Sequence, residues 1–471
     1  MNPITRSQFI KASATTIGTG MIVPHSHAAN QAPNGKPHHT PRAKNVIWLF
    51  MRGGLSHMES FDPKPALNKY AGKTILETPY ADVLHPDKFT DQRVVIVDDG
   101  NGKTRNKLYP MQVGSKRYGQ CGVEISDWFS NIGSCADDIA FIRSMWTTDN
   151  NHGAQVQFHS GKHMLDPRAP TLGAWINYGL APLNDKLPQF VNFGERAFDK
   201  RDGHYLGPAY DAVNLTVNPD EPLAYAKPAL NVNKLHQNKG FDFVRELNEL
   251  SERYHYPNDK VLQARSKSYV LAKSMQTAIP EIMNFDSESE ETKKMYGLDN
   301  DVTRPFGQQL LAARRMAQKG VRVVQVMHGT GAAGSWDNHS GLKKGHSKLS
   351  KQVDLPTAGL LKDLKQRGML EDTIVVFASE FGRTPGSQGS DGRDHHPTAF
   401  SVWMAGGGMK GGTIHGTTDE LGYHAEENRH YVTDIHATIL HQLGLQPNRM
   451  MAPGFQRLEK DFGQIIHDIL T

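Results

Sequence analysis

An α/β fold built on a doubly wound, mainly parallel sheet is predicted by two patterns. Short apolar runs recur at residues 46–50, 139–142, 321–326, 373–378 and 399–404, and each is almost continuously apolar, as strands buried on both faces are. Between them lie stretches with apolar residues at helical spacing, at 307–319, 355–366 and 433–443. Strands alternating with helices place parallel strands side by side and cover both faces of the sheet with helices.

The elements can be justified in chain order. Residues 1–29 read as an export signal: Arg6 and Lys11 precede a soft apolar stretch ending at Pro24, followed by Ser26-His27-Ala28. The stretch is too short to span a bilayer, and Arg6-Ser7-Gln8-Phe9-Ile10-Lys11 is similar to a twin-arginine signal with Thr5 in place of the first arginine. An exported protein would work in a periplasm or outside the cell. Residues 30–44 read as a linker in which His38 and His39 are solvated. From residue 45 to 471 the chain reads as one α/β domain with two insertions. The smaller, at 78–120, has a strand at 94–97 and a turn at 99–102; the larger, at about 195–300, is charged and helical. Gly406 to Gly412 is glycine-rich like a phosphate loop but lacks its Lys-Ser/Thr ending, and reads as a strand-to-strand turn.

Composition removes several function classes. The 53 basic and 49 acidic side chains leave a net charge of only +4 over 471 residues, too thin an excess to imply a nucleic-acid partner. Two cysteines cannot build a disulfide framework or a cysteine zinc module. Cys121 and Cys135 would close a loop of about 15 residues, worth roughly 3 kcal/mol if bridged; the reading taken is two buried free thiols. The 23 histidines are what stands out.

In doubly wound sheets, sites form outside the carboxyl ends of the strands, and here those ends are polar. The first strand leads into Arg52-Gly53-Gly54-Leu55-Ser56-His57, and the run at 139–142 leads to Asn150-Asn151-His152-Gly153. Asp337-Asn338-His339 follows the run at 321–326. Ser379-Glu380-Phe381-Gly382-Arg383 and then Arg393-Asp394-His395-His396 follow the run at 373–378. Carboxylate oxygen and imidazole nitrogen are the ligands of hard and borderline divalent metals. Asp337, His339, Glu380, Asp394, His395 and His396 are therefore candidates for one or two ions, zinc, calcium or magnesium. Arg52 and Arg383 are candidate forks for a tetrahedral anion. His57, His152 and His159 rank below these, because one His beside an apolar face is usually a hydrogen-bonded packing residue.

The stretch Arg52-Gly53-Gly54-Leu55-Ser56-His57 with Phe61-Asp62-Pro63-Lys64-Pro65, then Trp336-Asp337-Asn338-His339, Ser379-Glu380-Phe381-Gly382-Arg383-Thr384 and Gly392-Arg393-Asp394-His395-His396-Pro397, resemble the bacterial domain-of-unknown-function 1501 family, secreted sulfatase-like proteins of the alkaline phosphatase superfamily. The resemblance spans residues 44 to 445. It implies a two-metal α/β sandwich in which a Ser, Thr or formylglycine nucleophile attacks a phosphate or sulfate ester. By position, Asp337 and His339 look like ligands of one metal, Ser379-Glu380-Phe381-Gly382 like the Ser-Asp-His-Gly of the other, and His396 like the late metal histidine.

The departures are as informative as the matches. Met51 or Arg52 stands in place of the superfamily's first-strand Asp, Phe381 in place of a His, and Asn151 in place of the nucleophile. The expectation is therefore one metal, held by Asp337, His339, Glu380 and His396, with a directly attacking water and His152 or His395 as general base. Ser56 is a displaced alternative nucleophile. The function expected is an exported, metal-dependent hydrolase of a sulfate or phosphate ester on a small molecule or carbohydrate. The alternative is a catalytically inactive module of the same fold that binds glycan or a partner protein.

Overall fold

In the computed structural model the described residues are 34–89, 105–196, 198, 200–218, 233–254, 259–450, 452 and 463–471. The export signal, the start of the linker, and the strand and turn expected at 94–102 lie outside them.

The core is a nine-stranded sheet. Its strands are β1 (Asn45–Met51), β2 (Ile139–Trp146), β3 (Phe190–Phe193), β4 (Val213–Leu215), β5 (Val323–His328), β6 (Thr373–Ala378), β9 (Phe400–Ala405), β10 (Thr413–His415) and β11 (His430–Tyr431). Between β6 and β9 the chain forms a separate hairpin of β7 (Gly382–Gln388) and β8 (Gly392–His396). The sheet order is β10-β2-β9-β6-β1-β5-β3-β4, with β11 also paired to β2. β9 alone of the described strands in this sheet runs against its neighbours β6 and β2; the other pairings are parallel. A mainly parallel doubly wound sheet is therefore what the chain forms.

The continuous apolar runs follow from helices on both faces. Along β1, Ile47, Leu49 and Met51 enter one hydrophobic cluster and Val46, Trp48 and Phe50 the other, the two-residue alternation of a strand with no solvent side. The first cluster is completed by α5 (Arg304–Gln318) and α6 (Leu342–Gln366), the second by α1 (Ala154–Ser160), α2 (Leu172–Gly179) and α7 (Val432–Gln442). Helix α6 starts thirteen residues before the sequence reading begins it, because Pro356 lies inside it and a proline reads as a helix boundary.

The region 195–300 is less separate than its composition suggests. It adds β4 to the sheet edge, parallel to β3, and then an antiparallel pair of long helices, α3 (Lys234–Tyr254) and α4 (Lys260–Met283), joined by Glu252–Ser266 and Asp242–Lys273 contacts; Ile279, Ile282 and Met283 of α4 enter the main core. Strands of three and four residues, one carrying a central Asn192, are too short to declare themselves by periodicity. The end of the linker is also pinned: His38 Nδ1 accepts from the Gln446 amide at 2.8 Å, and His39 Nε2 donates to His441 O at 3.0 Å. Both cysteines are free thiols, and residues 406–412 do form the turn between β9 and β10. Among the described residues no helix is long and apolar enough to cross a membrane.

Candidate metal centre

The carboxyl ends of β1, β2, β5 and β6 share one edge of the sheet. Because β9 is antiparallel, it is the chain entering β9, not leaving it, that reaches this edge, and that chain is the β7–β8 hairpin. Four side chains meet there. Ligand atoms of His152, Asp337, His339 and His395 all lie within 4.8 Å of one another.

Asp337 is the hub. Its Oδ1 lies 2.9 Å from His339 Nε2 and 3.1 Å from His395 Nε2, and its Oδ2 lies 3.2 Å from His152 Nε2. Each imidazole is held from behind through Nδ1. His395 Nδ1 donates to the Asn150 carbonyl at 2.8 Å, His152 Nδ1 to Glu380 Oε1 at 3.2 Å, and His339 Nδ1 to Gln388 Oε1. Proton-accepting partners on all three Nδ1 atoms turn three Nε2 lone pairs toward one point. His339 Nε2 and His395 Nε2 are 3.0 Å apart, close for two lone pairs unless a proton or a cation lies with them. Histidine backed by a carboxylate or carbonyl is the usual support of a metal-binding imidazole.

The electrostatics agree with this geometry. Burial raises the Asp337 pKa, but the close contacts with His152, His339 and His395 and the Arg383 guanidinium outweigh it and hold the carboxyl far below its ordinary range. Burial pushes His395 down to about 4. Burial also opposes the charged form of His152, yet Asp337 and Glu380 together raise its pKa. Asp337 and His339 are the partly exposed members, at 17% and 26%, and so form the open side of the group.

The loops that carry these residues are built for close approach. Gly53 and Gly54 have φ of +117° and +90°, where a side chain is strained. A Cβ on Gly53 would lie 2.5 Å from the Asp337 amide nitrogen, and one on Gly54 2.5 Å from the Phe381 ring. Trp336, fully buried, ties the Asp337 loop down by donating its amide to Arg52 O and its indole N–H to His328 Nδ1, both at 3.0 Å. The Phe381 ring stands 4.4 Å from the His395 ring and 5.5 Å from that of His152, walling the centre where the superfamily resemblance implied a further ligand.

Several expected site residues lie elsewhere. His396 and His395 are neighbours on β8, so they point to opposite faces. His396 donates Nε2–H to Tyr423 O at 2.5 Å and stacks on His57 at 6.4 Å, and the structure does not bring it to the group. Glu380 touches His152 Nδ1, the Gly53 amide and Gln155, and so orients the centre from behind. Asp394 is ion-paired with Arg105 at 2.5 Å and lies 3.8 Å from His339 Nδ1. Asn151 accepts the His152 amide through Oδ1 and shapes the loop. Ser56 donates to Glu59, which pairs with buried Arg393 at 2.7 Å. His159 donates Nδ1–H to Gln155 O and packs on Phe50.

The two arginines expected to bind an anion are fully buried and engaged with the protein. Arg383 donates to Gly53 O, Gly54 O, Trp336 O, Arg393 O and Asp337. Arg52 donates to Gln155, Glu195 O, Gly329 O and Gly331 O. Both hold loops in place and present no free fork. Gln388, on β7 beside the hairpin turn, is the contributor that no motif marks, and Asn150, inside the Asn150-Asn151-His152-Gly153 run, contributes a backbone carbonyl that no residue type signals.

Comparison with known proteins gives a family and a loose structural likeness. Of solved structures, a phosphonate monoester hydrolase from Silicibacter pomeroyi is 11% identical, with 91% of this chain and 76% of that one covered at a TM-score of 0.39. A sulfatase from Pseudoalteromonas sp. is 11% identical, with 91% and 72% covered at 0.36. A TAB5 alkaline phosphatase variant with bound magnesium is 10% identical, with 87% and 100% covered at 0.34. No curated protein matches the sequence. The family described as protein of unknown function DUF1501 matches residues 43–470, nearly the whole length, and the chain belongs to that family.

Proposed function

We propose that the protein is a hydrolase of sulfate or phosphate esters that depends on a single divalent metal held by His152, Asp337, His339 and His395. The observation that carries the reading is the convergence of three Nε2 atoms on Asp337, each with Nδ1 held by an acceptor. Three nitrogens and one oxygen suit zinc or a similar borderline ion better than calcium or magnesium, which favour all-oxygen sites. The ligand set so proposed replaces Glu380, Asp394 and His396 with His152 and His395.

A divalent ion held there by His152, Asp337, His339 and His395 would supply Lewis acidity, activating water and polarising an ester oxygen. The chain's own residues do the rest. Glu380 and Gln388 fix the rings of His152 and His339, Arg383 fixes Asp337, and Phe381 excludes water from one side. His339, the most exposed member, borders the open side from which an ester enters. The substrate class rests on the motif resemblance to sulfatase-like proteins, and export on the pattern of residues 1–29.

A second reading, binding without turnover, is favoured by one observation: Asn151 supplies no nucleophile and instead holds the His152 amide. Elemental analysis and an ester panel separate the two. Purified protein is expected to carry about one divalent ion, Asp337→Ala with His395→Ala to lose it, and His396→Ala to keep it. A metal content unchanged in the double variant would sink the centre. Metal without hydrolysis of any sulfate or phosphate ester would select the binding module.

A further inference from the structure

A cavity of about 950 Å³ opens at the carboxyl end of β5, between the first turns of α6 and the start of α5. Its wall on α6 carries Lys343, Lys344, Lys348 and Lys351, at helical spacing and all exposed. Among the described residues none of the four has an ion-pair partner. The two acids at the rim are already engaged: Asp301 pairs with Arg304 at 2.5 Å, and Glu195 accepts the Gly331 amide at 3.1 Å. Helix α6 begins here with no side-chain cap, so its positive end adds to the same field. Even with the Glu195 charge, which a neutral amide does not cancel, the four lysines leave this concave site an excess of positive charge, and such a site collects anions from solution.

The cavity is tied to the metal centre by sequence and by contact. Gly329, Thr330 and Ser335 line it, and the same loop carries Asp337 and His339. His328 in the cavity floor accepts the indole N–H of Trp336, next to Asp337, and is itself bonded to Gln352 on α6. Phe306 and Leu349 add apolar surface for the body of a ligand.

We infer that this cavity is a subsite for a substrate bearing at least one further sulfate or phosphate group besides the ester cleaved, a multiply anionic carbohydrate ester. The inference rests on the proposed reading of the neighbouring centre. It accounts for the engagement of Arg52 and Arg383 within the protein: anion recognition is moved to lysines on α6, whose flexible ammonium groups tolerate varied anion positions better than a buried fork does.

Calorimetric titration of the full chain at low ionic strength tests this, with sucrose octasulfate and inositol hexakisphosphate as polyanions and glucose 6-sulfate as the single-charge control. Both polyanions should bind more tightly than glucose 6-sulfate, the tighter of the two naming the preferred group. The variant Lys344→Glu/Lys348→Glu/Lys351→Glu should weaken that binding at least about tenfold. The charge-matched variant Lys116→Glu/Lys186→Glu/Lys410→Glu, with its changes outside the cavity, should stay within about twofold. Equal losses in both variants, or no loss in the first, overturn the subsite. Metal content of the same samples keeps the two readings apart. Metal without lysine-dependent binding removes the subsite alone; lysine-dependent binding without metal removes the ester-cleaving centre and the claim that the ligand is a substrate.

Discussion

Gln388 has no place in any motif, yet it fixes His339 by accepting from Nδ1. Removing a partner of this kind typically costs 10–100-fold in metal affinity. Gln388→Leu is therefore expected to raise the metal dissociation constant by about that factor while the fold persists; an unchanged constant in a chelator competition would show that Gln388 does not orient the ring. The choice between His395 and His396 illustrates why roles at this scale were hard to assign. Both were legible as site histidines because they follow polar strand ends, but only the strand's two-residue period, known once β8 is seen, sends one inward and the other to Tyr423. Arg52 and Arg383 misled for a different reason: a guanidinium that binds an anion and one that binds backbone carbonyls are the same residue in a sequence.

At the scale of elements, the glycine pair after β1 decides how closely three loops approach. Gly54→Ala would place a methyl group against the Phe381 ring at a φ of +90°. The expected loss is about 1–3 kcal/mol of stability, read as a lower urea midpoint, with metal binding weakened as Phe381 shifts against His395. A variant as stable as the parent would mean that the ring moves aside freely. Helices α5 and α7 and strands β1, β5, β6 and β9 were legible because their apolar periodicity is long and unbroken. Strands β3, β4, β10 and β11 were not: two to four residues at the sheet margins carry no period, and pairing partners far away in sequence define them. The β7–β8 hairpin escaped for a related reason, since Arg383, Arg393 and Asp394 are polar residues whose partners, Asp337, Glu59 and Arg105, are themselves polar and lie on other segments.

For the whole molecule, the histidine count has a consequence for acid stability. His159, His328 and His436 are buried and neutral, with burial lowering each from 6.5 to about 4. Between those values the unfolded chain binds more protons than the folded one, so stability falls as pH drops from 6.5 toward 4 and is fully present only above that window. Each contributes a slope of up to about 1.4 kcal/mol per pH unit. The urea midpoint is expected to be clearly lower near about pH 5 than near about pH 7.5, and equal midpoints would contradict it.

The four grouped residues come from three separate places, the loop after β2, the loop after β5 and strand β8, at positions 152, 337 with 339, and 395. No short segment can chelate an ion on its own, so the site is assembled only when distant strands have paired, late in a folding reaction dominated by long loop closures. An ion that binds there has little affinity for the unfolded chain and stabilises the native state by the full mass-action term. Metal uptake would thus mark the completion of the sheet, and a chelator would act on this protein as a mild denaturant.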